Sequence, residues 1–339
     1  MSQKLIAISG GTGTIGSSIV RALLGHPRYI PIVLSRGRAG NPPNTSSFVE
    51  GVTLSESSRP YHLETRYVDY SSIDSLTAEL TGVHTVISAL LIPGPEIVDY
   101  QLNLLNASIA AGVSRFAPSE FALCQEAHAE VDIDRAKIVV WNAVCAAVQR
   151  GDIDAAAFPC GMFMNYLAVG SIHSADDLPF YKRENPLAGF REGPLMFHLA
   201  GPEPWVEVPL TQTGEFPELS MTDIRDVGKF VVAALGIEVP WGGRELGMVG
   251  ETANMSDIVG IIEGVLGKKV EVRGVTRAEL QTRLERIDQG DFLGRIDLEY
   301  TMVCGTGGSV VRGNLNYLCP QVQPVTIRQF MEEAWGKRL

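Results

Sequence analysis

The amino-acid sequence predicts an α/β protein: a Rossmann-type, doubly wound parallel sheet followed by a second, smaller α+β substrate domain. Three observations carry that prediction. Lys4-Leu5-Ile6-Ala7-Ile8-Ser9 is an apolar run near the first residue, and Gly10-Gly11-Thr12-Gly13-Thr14-Ile15-Gly16 follows at once. Ile15, Ile19, Val20, Leu23 and Leu24 then recur at helical period, giving strand, glycine turn and helix. Further on, short apolar runs alternate with helical ones, as parallel strands joined by crossover helices require.

In the first crossover, Gly10 permits the tight turn, Gly13 lets backbone approach a pyrophosphate, and Gly16 lets the helix pack closely. Phosphates would rest on free N–H groups at the helix N-terminus, among Thr12, Thr14 and Ile15. His26-Pro27 ends that helix, and Ile30 to Leu34 forms a second strand ending in Ser35-Arg36-Gly37-Arg38. In dinucleotide folds an acid at this junction takes the ribose 2′-hydroxyl, whereas arginine takes a 2′-phosphate. No Asp or Glu lies between Gly10 and Val49, so Ser35, Arg36 and Arg38 point to NADP(H) rather than NAD(H). The bland alternative is a pair of solvated arginines at a strand end.

Residues 39 to 60 are rich in Pro, Ser, Asn and Gly and read as a long loop. Arg66-Tyr67-Val68 reads as the third strand, with Asp69 just past it where adenine is expected. Ser72 opens a short helix that stops near Gly82. Val83 to Ala89 is a strand whose end (Ser88, Ala89, Leu90) is expected at the cofactor edge, with Leu91 in the following proline-bounded loop. His84 within it is read as a satisfied edge histidine. Ile97 to Ala111 is a helix closed by Gly112. The strand beginning at Arg115 runs through Pro118 to the polar pair Ser119 and Glu120, with Phe121 beyond.

In the helix expected over 132–149, Ile133, Lys137, Val140, Val144 and Val148 fall on one face. Lys137 therefore lies on the apolar stripe, either snorkelling along its stem or pointing into a cleft. Buried beside a cofactor, its pKa would fall and it would serve in proton transfer with Ser119 and Glu120 as polar neighbours. Ile153 to Phe158 is another buried strand. It places Phe158 and Cys160 toward the cofactor and Met162, Phe163 and Tyr166 in an apolar substrate wall with Leu91 and Phe121.

From 171 to 219 Pro and Gly are frequent and no helix is periodic; Leu195 to Leu199 reads as a short strand. Asp223 caps a helix over Ile224 to Leu235, and Glu245 to Val249 reads as a late strand returning to the sheet. Met255 to Leu266 is helical, Lys268 to Val275 a strand, and Thr276-x-x-Glu279 a capping box. Residues 304 to 316, rich in glycine, read as a flexible cover. The last helix opens at Thr326-x-x-Gln329 and buries Ile327, Met331 and Trp335. This assigns residues 1–160, with 222–250 returning to them, to cofactor binding. Residues 161–221 and 251–339 form the substrate-binding part.

The 339 residues suffice for one large or two modest domains, with 45% apolar and 20% charged residues. The formal net charge of −11 disfavours binding to nucleic-acid backbones. No apolar run is long enough for a membrane span, and a strand starting near residue 4 leaves no room for a signal peptide. Five widely spaced cysteines without CxxC point to reduced thiols of a cytosolic protein rather than a disulfide or metal framework. No Tyr is followed four residues later by Lys, and GxSxG, HExxH and GxxxxGK[ST] are missing.

At GGTGTIG, Ser35-Arg36 and RFAPSEFA the chain resembles the NmrA-like and isoflavone-reductase-like atypical short-chain dehydrogenases. VDYSSIDSL, VHTVISAL, Thr222-Asp223-Ile224 and Gly313-Asn314-Leu315-Asn316 extend the likeness over the whole chain. The resemblance implies NADP(H), a smaller C-terminal domain and hydrophobic, often aromatic or alkaloid-like, secondary metabolites. It also implies that Arg115, Phe116, Pro118, Ser119, Glu120 and Phe121 border the nicotinamide, with Ala122 in place of the final Gly. The family's catalytic lysine lies on the next helix. Counted back from Ile153-Asp154, the matching position is Trp141, and Lys137 sits one turn earlier. Two functional classes follow: an NADP(H)-dependent oxidoreductase, including a redox-neutral isomerase or cyclase variant, and a dinucleotide-sensing regulator without turnover. A homodimer is compatible with either.

Overall fold

The computed structural model describes residues 3–37, 45–52, 61–92, 94–173, 180–288 and 290–336. β1 (Lys4–Ser9) leads into α1 (Thr14–Leu23), β2 (Tyr29–Arg36), β3 (Thr45–Val52), β4 (Tyr61–Val68), α2 (Ile73–Glu79) and β5 (Val83–Ser88). α3 (Glu96–Ala110), β6 (Arg115–Ala117), α4 (Arg135–Arg150) and β7 (Asp154–Ala157) follow. Beyond them come β8 (Met162–Phe163), β9 (Phe197–His198), β10 (Trp205–Pro209), β11 (Glu218–Thr222), α5 (Ile224–Leu235) and β12 (Arg244–Glu245). The chain ends with β13 (Glu251–Asn254), α6 (Met255–Leu266), β14 (Glu271–Val275), α7 (Arg277–Arg286), α8 (Phe292–Thr306), α9 (Asn314–Leu318) and α10 (Ile327–Trp335).

Eight strands form the main sheet in the order β12-β7-β6-β5-β1-β2-β4-β3. All pair in parallel except β3, which runs antiparallel on the edge. Strand order reverses at β1, where the Ala89 N–H donates to the Ser9 carbonyl at 2.8 Å. A reversal of this kind opens a crevice at the carboxyl ends of the strands.

Side-chain alternation along β1 builds both faces of the sheet. Ile6 and Ile8 pack with Ile19 and Leu23 of α1 and Val227 and Phe230 of α5. Ala7, between them, packs on the other face with Ile32, Leu104, Phe116 and Val140. α5 reaches α1 from two hundred residues away because Gly228 leaves no side chain at the crossing. A Cβ there would stand 2.3 Å from the Ser18 carbonyl oxygen, and Ser18 Oγ donates to the Ile224 carbonyl at 2.6 Å. A separate core gathers Met162, Phe197, Met221, Ile258, Phe330 and Met331. It lies among the small sheets β14-β10-β9 and β13-β11-β8.

Several expectations change. Part of the supposed loop over 39–60 is β3, paired with β4 from Thr45↔Tyr67 to Val52↔Tyr61; the remainder lies outside the described residues. A sheet edge tolerates such Ser- and Thr-rich composition because ladder bonds to a neighbour supply what propensity does not. The late strand shrinks to Arg244–Glu245 and the strand at 195–199 to Phe197–His198. The supposed glycine-rich cover is instead preceded by α8, which Asp291 caps through the Gly294 N–H at 3.0 Å and which ends at Gly307 in the left-handed region. Trp335 is half-buried rather than buried, its Nε1 donating to the Leu167 carbonyl at 2.7 Å.

Gly228→Ala should lower stability by about 1–3 kcal/mol through overpacking of α1 on α5. Gly260→Ala, on the exposed side of α6 with open space around it, should raise stability by about 0.5–1 kcal/mol. Urea unfolding of both variants checks this; equal midpoints would remove the close crossing from the account.

Candidate functional site

The site is built outward from the first glycine turn. Gly10 has φ +73°, and a Cβ there would stand 2.6 Å from the Ala89 carbonyl oxygen. A Cβ on Gly16 would stand 2.3 Å from the Gly10 carbonyl oxygen and 2.7 Å from Gly11 Cα. Gly16 thus presses the start of α1 onto the turn itself. Gly13, the N-cap, offers no side chain, and the first turn of α1 holds no acid. Its leading N–H groups face outward uncapped.

Over this turn opens a cleft of about 380 Å³. Gly10, Thr12, Gly13, Thr14 and Ile15 form one wall. Ser35 and Arg36 close one end, and Ala89, Leu90 and Leu91 line the β5 side. Arg36 is exposed, and among the described residues its guanidinium has no hydrogen-bonded or ion-paired partner. Arg38 lies outside the described residues. Asp69 stands beside this end but misses the lining, because its carboxylate accepts from Ser71 N–H at 2.9 Å and Ser71 Oγ at 2.6 Å. Tyr70 lines the wall instead, its hydroxyl sharing a 2.6 Å hydrogen bond with Ser9 Oγ.

Four residues expected at the cofactor are packed elsewhere. Ser88, Pro118, Phe158 and Cys160 are buried and line neither space. Alternation turns Phe158 into the core, where its ring stacks on Phe121 and meets Trp241 edge-on. Burial pushes the Cys160 thiol up to about 12.

A second cavity, about 240 Å³, continues from the cleft and shares Ile15, Ala89, Leu90, Leu91 and Phe163 with it. Phe121, Met162, Phe163 and Tyr166 are in its wall, as the sequence led one to expect, with Ser119 and Lys137. The opposite wall is α8, through Phe292, Ile296, Asp297 and Tyr300, none of which sequence reasoning singled out. The recurrence of Phe292, Ile296 and Tyr300 at every fourth residue was the available signal.

Lys137 points into this chamber, its Nζ 3.7 Å from Asp134 Oδ1. Burial acts to discharge it, but Asp134 and Glu120 outweigh burial and hold its pKa above the ordinary lysine value. The expected fall is therefore reversed: Lys137 is an ammonium. Trp141, the position matched by counting, packs in the apolar layer around α3 and α4 and does not reach the chamber.

Behind Lys137 runs a buried line of charge. Asp134 Oδ2 accepts from the Tyr300 hydroxyl at 2.9 Å and faces His128 Nδ1 at 3.1 Å. His128 Nε2 faces Glu120 Oε2 at 2.9 Å. Burial disfavours charge on His128, but hydrogen bonds from its ring to Asp134 and Glu120 prevail and raise its pKa. Glu120 is thus held within the protein and does not line the chamber. Ser119 Oγ donates to the Leu90 carbonyl at 2.8 Å, tying β6 to the loop after β5. The arrangement presents one ammonium able to grip or protonate an oxygen, beside a phenol whose proton is held by Asp134.

Residues 2–292 match the sequence profile described as the NmrA-like family. The chain belongs to the NmrA-like family. It is 28% identical over 273 residues to Oxidoreductase BOA1 of Botryotinia fuckeliana (strain B05.10), spanning 78% of this chain and 76% of that one. Its fold resembles AtPrR2 with NADP+ and (+)pinoresinol, at TM-score 0.67 and 17% identity over 97% or more of both chains (98% of this one, 99% of that one). An NADPH-dependent quinone oxidoreductase, QOR2 from Escherichia coli, complexed with NADPH, matches at TM-score 0.65 and 15% identity, covering 96% and 98% of the two chains. Among the described residues no cluster suits a metal ion, and no helix is long and apolar enough to cross a membrane.

His128 gives the NmrA-like chain a pH signature. A histidine whose folded pKa is raised stabilises fully below its unfolded value, and that contribution fades as pH rises through the folded value. Stability should therefore decline as pH climbs above about 6.5. His128→Gln should flatten that decline and cost about 3–5 kcal/mol at low pH by leaving two buried carboxylates facing each other. Chemical unfolding across pH checks both; an unchanged slope in the variant would remove the imidazolium.

Proposed function

We propose that this protein is an NADP(H)-dependent oxidoreductase acting on a hydrophobic small molecule held in the chamber beside α8. The observation that carries the reading is the continuity of the two spaces: the cleft over the first glycine turn opens, across Ile15 and Ala89–Leu91, onto a mainly apolar chamber with an ammonium inside. An apolar chamber beside the cofactor cleft favours an enzyme over a sensor without turnover.

The cleft fits the cofactor on its own terms. The N–H groups at the start of α1, with Thr12 and Thr14, would hold the pyrophosphate, in a cradle that a Cβ on Gly10 or Gly16 would fill. Ser35 and Arg36, which is unpartnered among the described residues, would take the 2′-phosphate together with Arg38. When bound, the dinucleotide supplies hydride chemistry. Relatives named as oxidoreductases and fold neighbours crystallised with NADPH or NADP+ support the same assignment.

In the chamber, Lys137 would hold the substrate oxygen and deliver its proton, with Asp134, itself held by Tyr300, buffering the lysine. Glu120 acts at a distance, fixing Asp134 through His128, and Ser119 positions the β5 loop. Leu91, Phe121, Met162, Phe163 and Tyr166 would exclude water. Residues 1–160 with 222–250 would hold the cofactor, and 161–221 with 251–339 the substrate. Secondary metabolism and a reducing, cytoplasmic setting suit an apolar chamber and five free thiols.

Calorimetric titration should show NADPH bound more tightly than NADH, and Arg36→Ala should cost about tenfold or more in NADPH affinity only. Equal affinities for the two would remove the role of Arg36. Lys137→Met should lower kcat by about 10²–10⁴-fold with NADPH affinity nearly unchanged. Full turnover in that variant would reduce Lys137 to a structural cation.

A further inference from the structure

We propose that the chamber selects a cyclic secondary amine in its protonated form, its two N–H donors shared among Glu192, Asp297 and Gln101. The proposal rests on the oxidoreductase reading above and names the substrate class of the same chamber.

The argument is an accounting of donors and acceptors. Glu192 and Asp297 both line the chamber, and Glu192 also borders the cofactor cleft. The two are neighbours: a Cβ on Gly193, next to Glu192, would stand 4.0 Å from Asp297 Oδ2. Glu192 accepts one hydrogen bond, from the Tyr166 hydroxyl at 2.7 Å. Asp297 has no side-chain partner among the described residues. Gln101 of α3, only 3% exposed, lines the same space and leaves its amide oxygen unpartnered. A buried acceptor without a donor is costly, and a ligand that brings the donor recovers that cost.

The hydroxyls facing the chamber are already committed as donors. Tyr166 gives to Glu192, Tyr300 to Asp134 and Ser119 to the Leu90 carbonyl. Asp134, Glu192 and Asp297 face it against one described cation, Lys137, which Asp134 matches. What remains open is two carboxylates and an amide oxygen, in a wall that also holds the aromatic residues Tyr166, Tyr300 and Phe292. Burial and the proximity of Glu192 push Asp297 up to about 6, a like-charge conflict that a bound cation relieves.

The test uses the full chain and two ring-matched probes. 1,2,3,4-Tetrahydroisoquinoline, protonated at pH 7.5, carries the donors and the charge; isochroman has oxygen in place of the NH. Calorimetry with and without saturating NADPH should show the amine bound at least about tenfold more tightly. Glu192→Gln and Asp297→Asn should each weaken the amine about tenfold and leave isochroman unchanged. Asp297→Asn should also keep NADPH affinity, with circular dichroism confirming its fold. Equal affinity of the two probes, an amine indifferent to both substitutions, or displacement of the amine by millimolar magnesium would each overturn the proposal. An NADPH isotherm is recorded first. Its absence would overturn the cofactor reading alone, since the amine preference is measured in the free protein as well.

Discussion

Gly16 sits against the Gly10–Gly11 turn with no room for a methyl group, and that contact sets the position of everything functional. It brings the uncapped start of α1 to the point where strand order reverses, beside the Ser9–Ala89 bond joining β1 to the end of β5. The cleft exists because backbone comes close to backbone in a place where side chains would ordinarily stand. Gly228 repeats the device on the far side of α1, letting α5 clamp the helix from above. The helix start is therefore fixed from two directions before any ligand arrives, so little ordering is left to oppose binding.

The chamber depends on a different constraint, a line of alternating charge buried between elements distant in sequence. Glu120 follows β6, His128 lies in the short 3₁₀ segment Gln125–Glu130, Asp134 immediately precedes α4, and Tyr300 belongs to α8. None of these groups could be buried alone, since an isolated charge in the interior is far too costly. Together they neutralise one another and lock α8 to α4. Lys137 inherits its charge from this line, which makes it an acid in waiting rather than a base.

Much of the architecture was legible from sequence for a plain reason. β1, β2 and β5 are buried on both faces, so their apolar runs are continuous, and α1 between the first two carries a clear apolar stripe. β3 was not legible because its Ser- and Thr-rich residues gain strand character from pairing with β4. α8 was obscured by Gly294 and Gly305 and by the charged run Arg295, Asp297 and Glu299, although Phe292, Ile296 and Tyr300 follow the helical period. At the site, Gly10, Thr12, Gly13, Ser35, Arg36, Ala89 and Leu90 line the cleft, and Phe121, Met162, Phe163 and Tyr166 line the chamber. Ser88, Pro118, Phe158 and Cys160 line neither, since a one-residue step along a strand exchanges cleft for core. Lys137 was found on its helix face, but the sign of its pKa was missed, even though Asp134 stood three residues before it. The convergence of Glu120 and His128 on that aspartate had no periodic signature to read.

The central claim is that the first turn of the chain was shaped around a pyrophosphate. A crystal grown with NADPH tests it most directly. The account requires both phosphates on the N–H groups of Thr14 and Ile15 at the start of α1, the third phosphate against Arg36, and the nicotinamide at the mouth of the chamber. A dinucleotide bound anywhere else, or that turn closed to it at saturating concentration, would contradict the account.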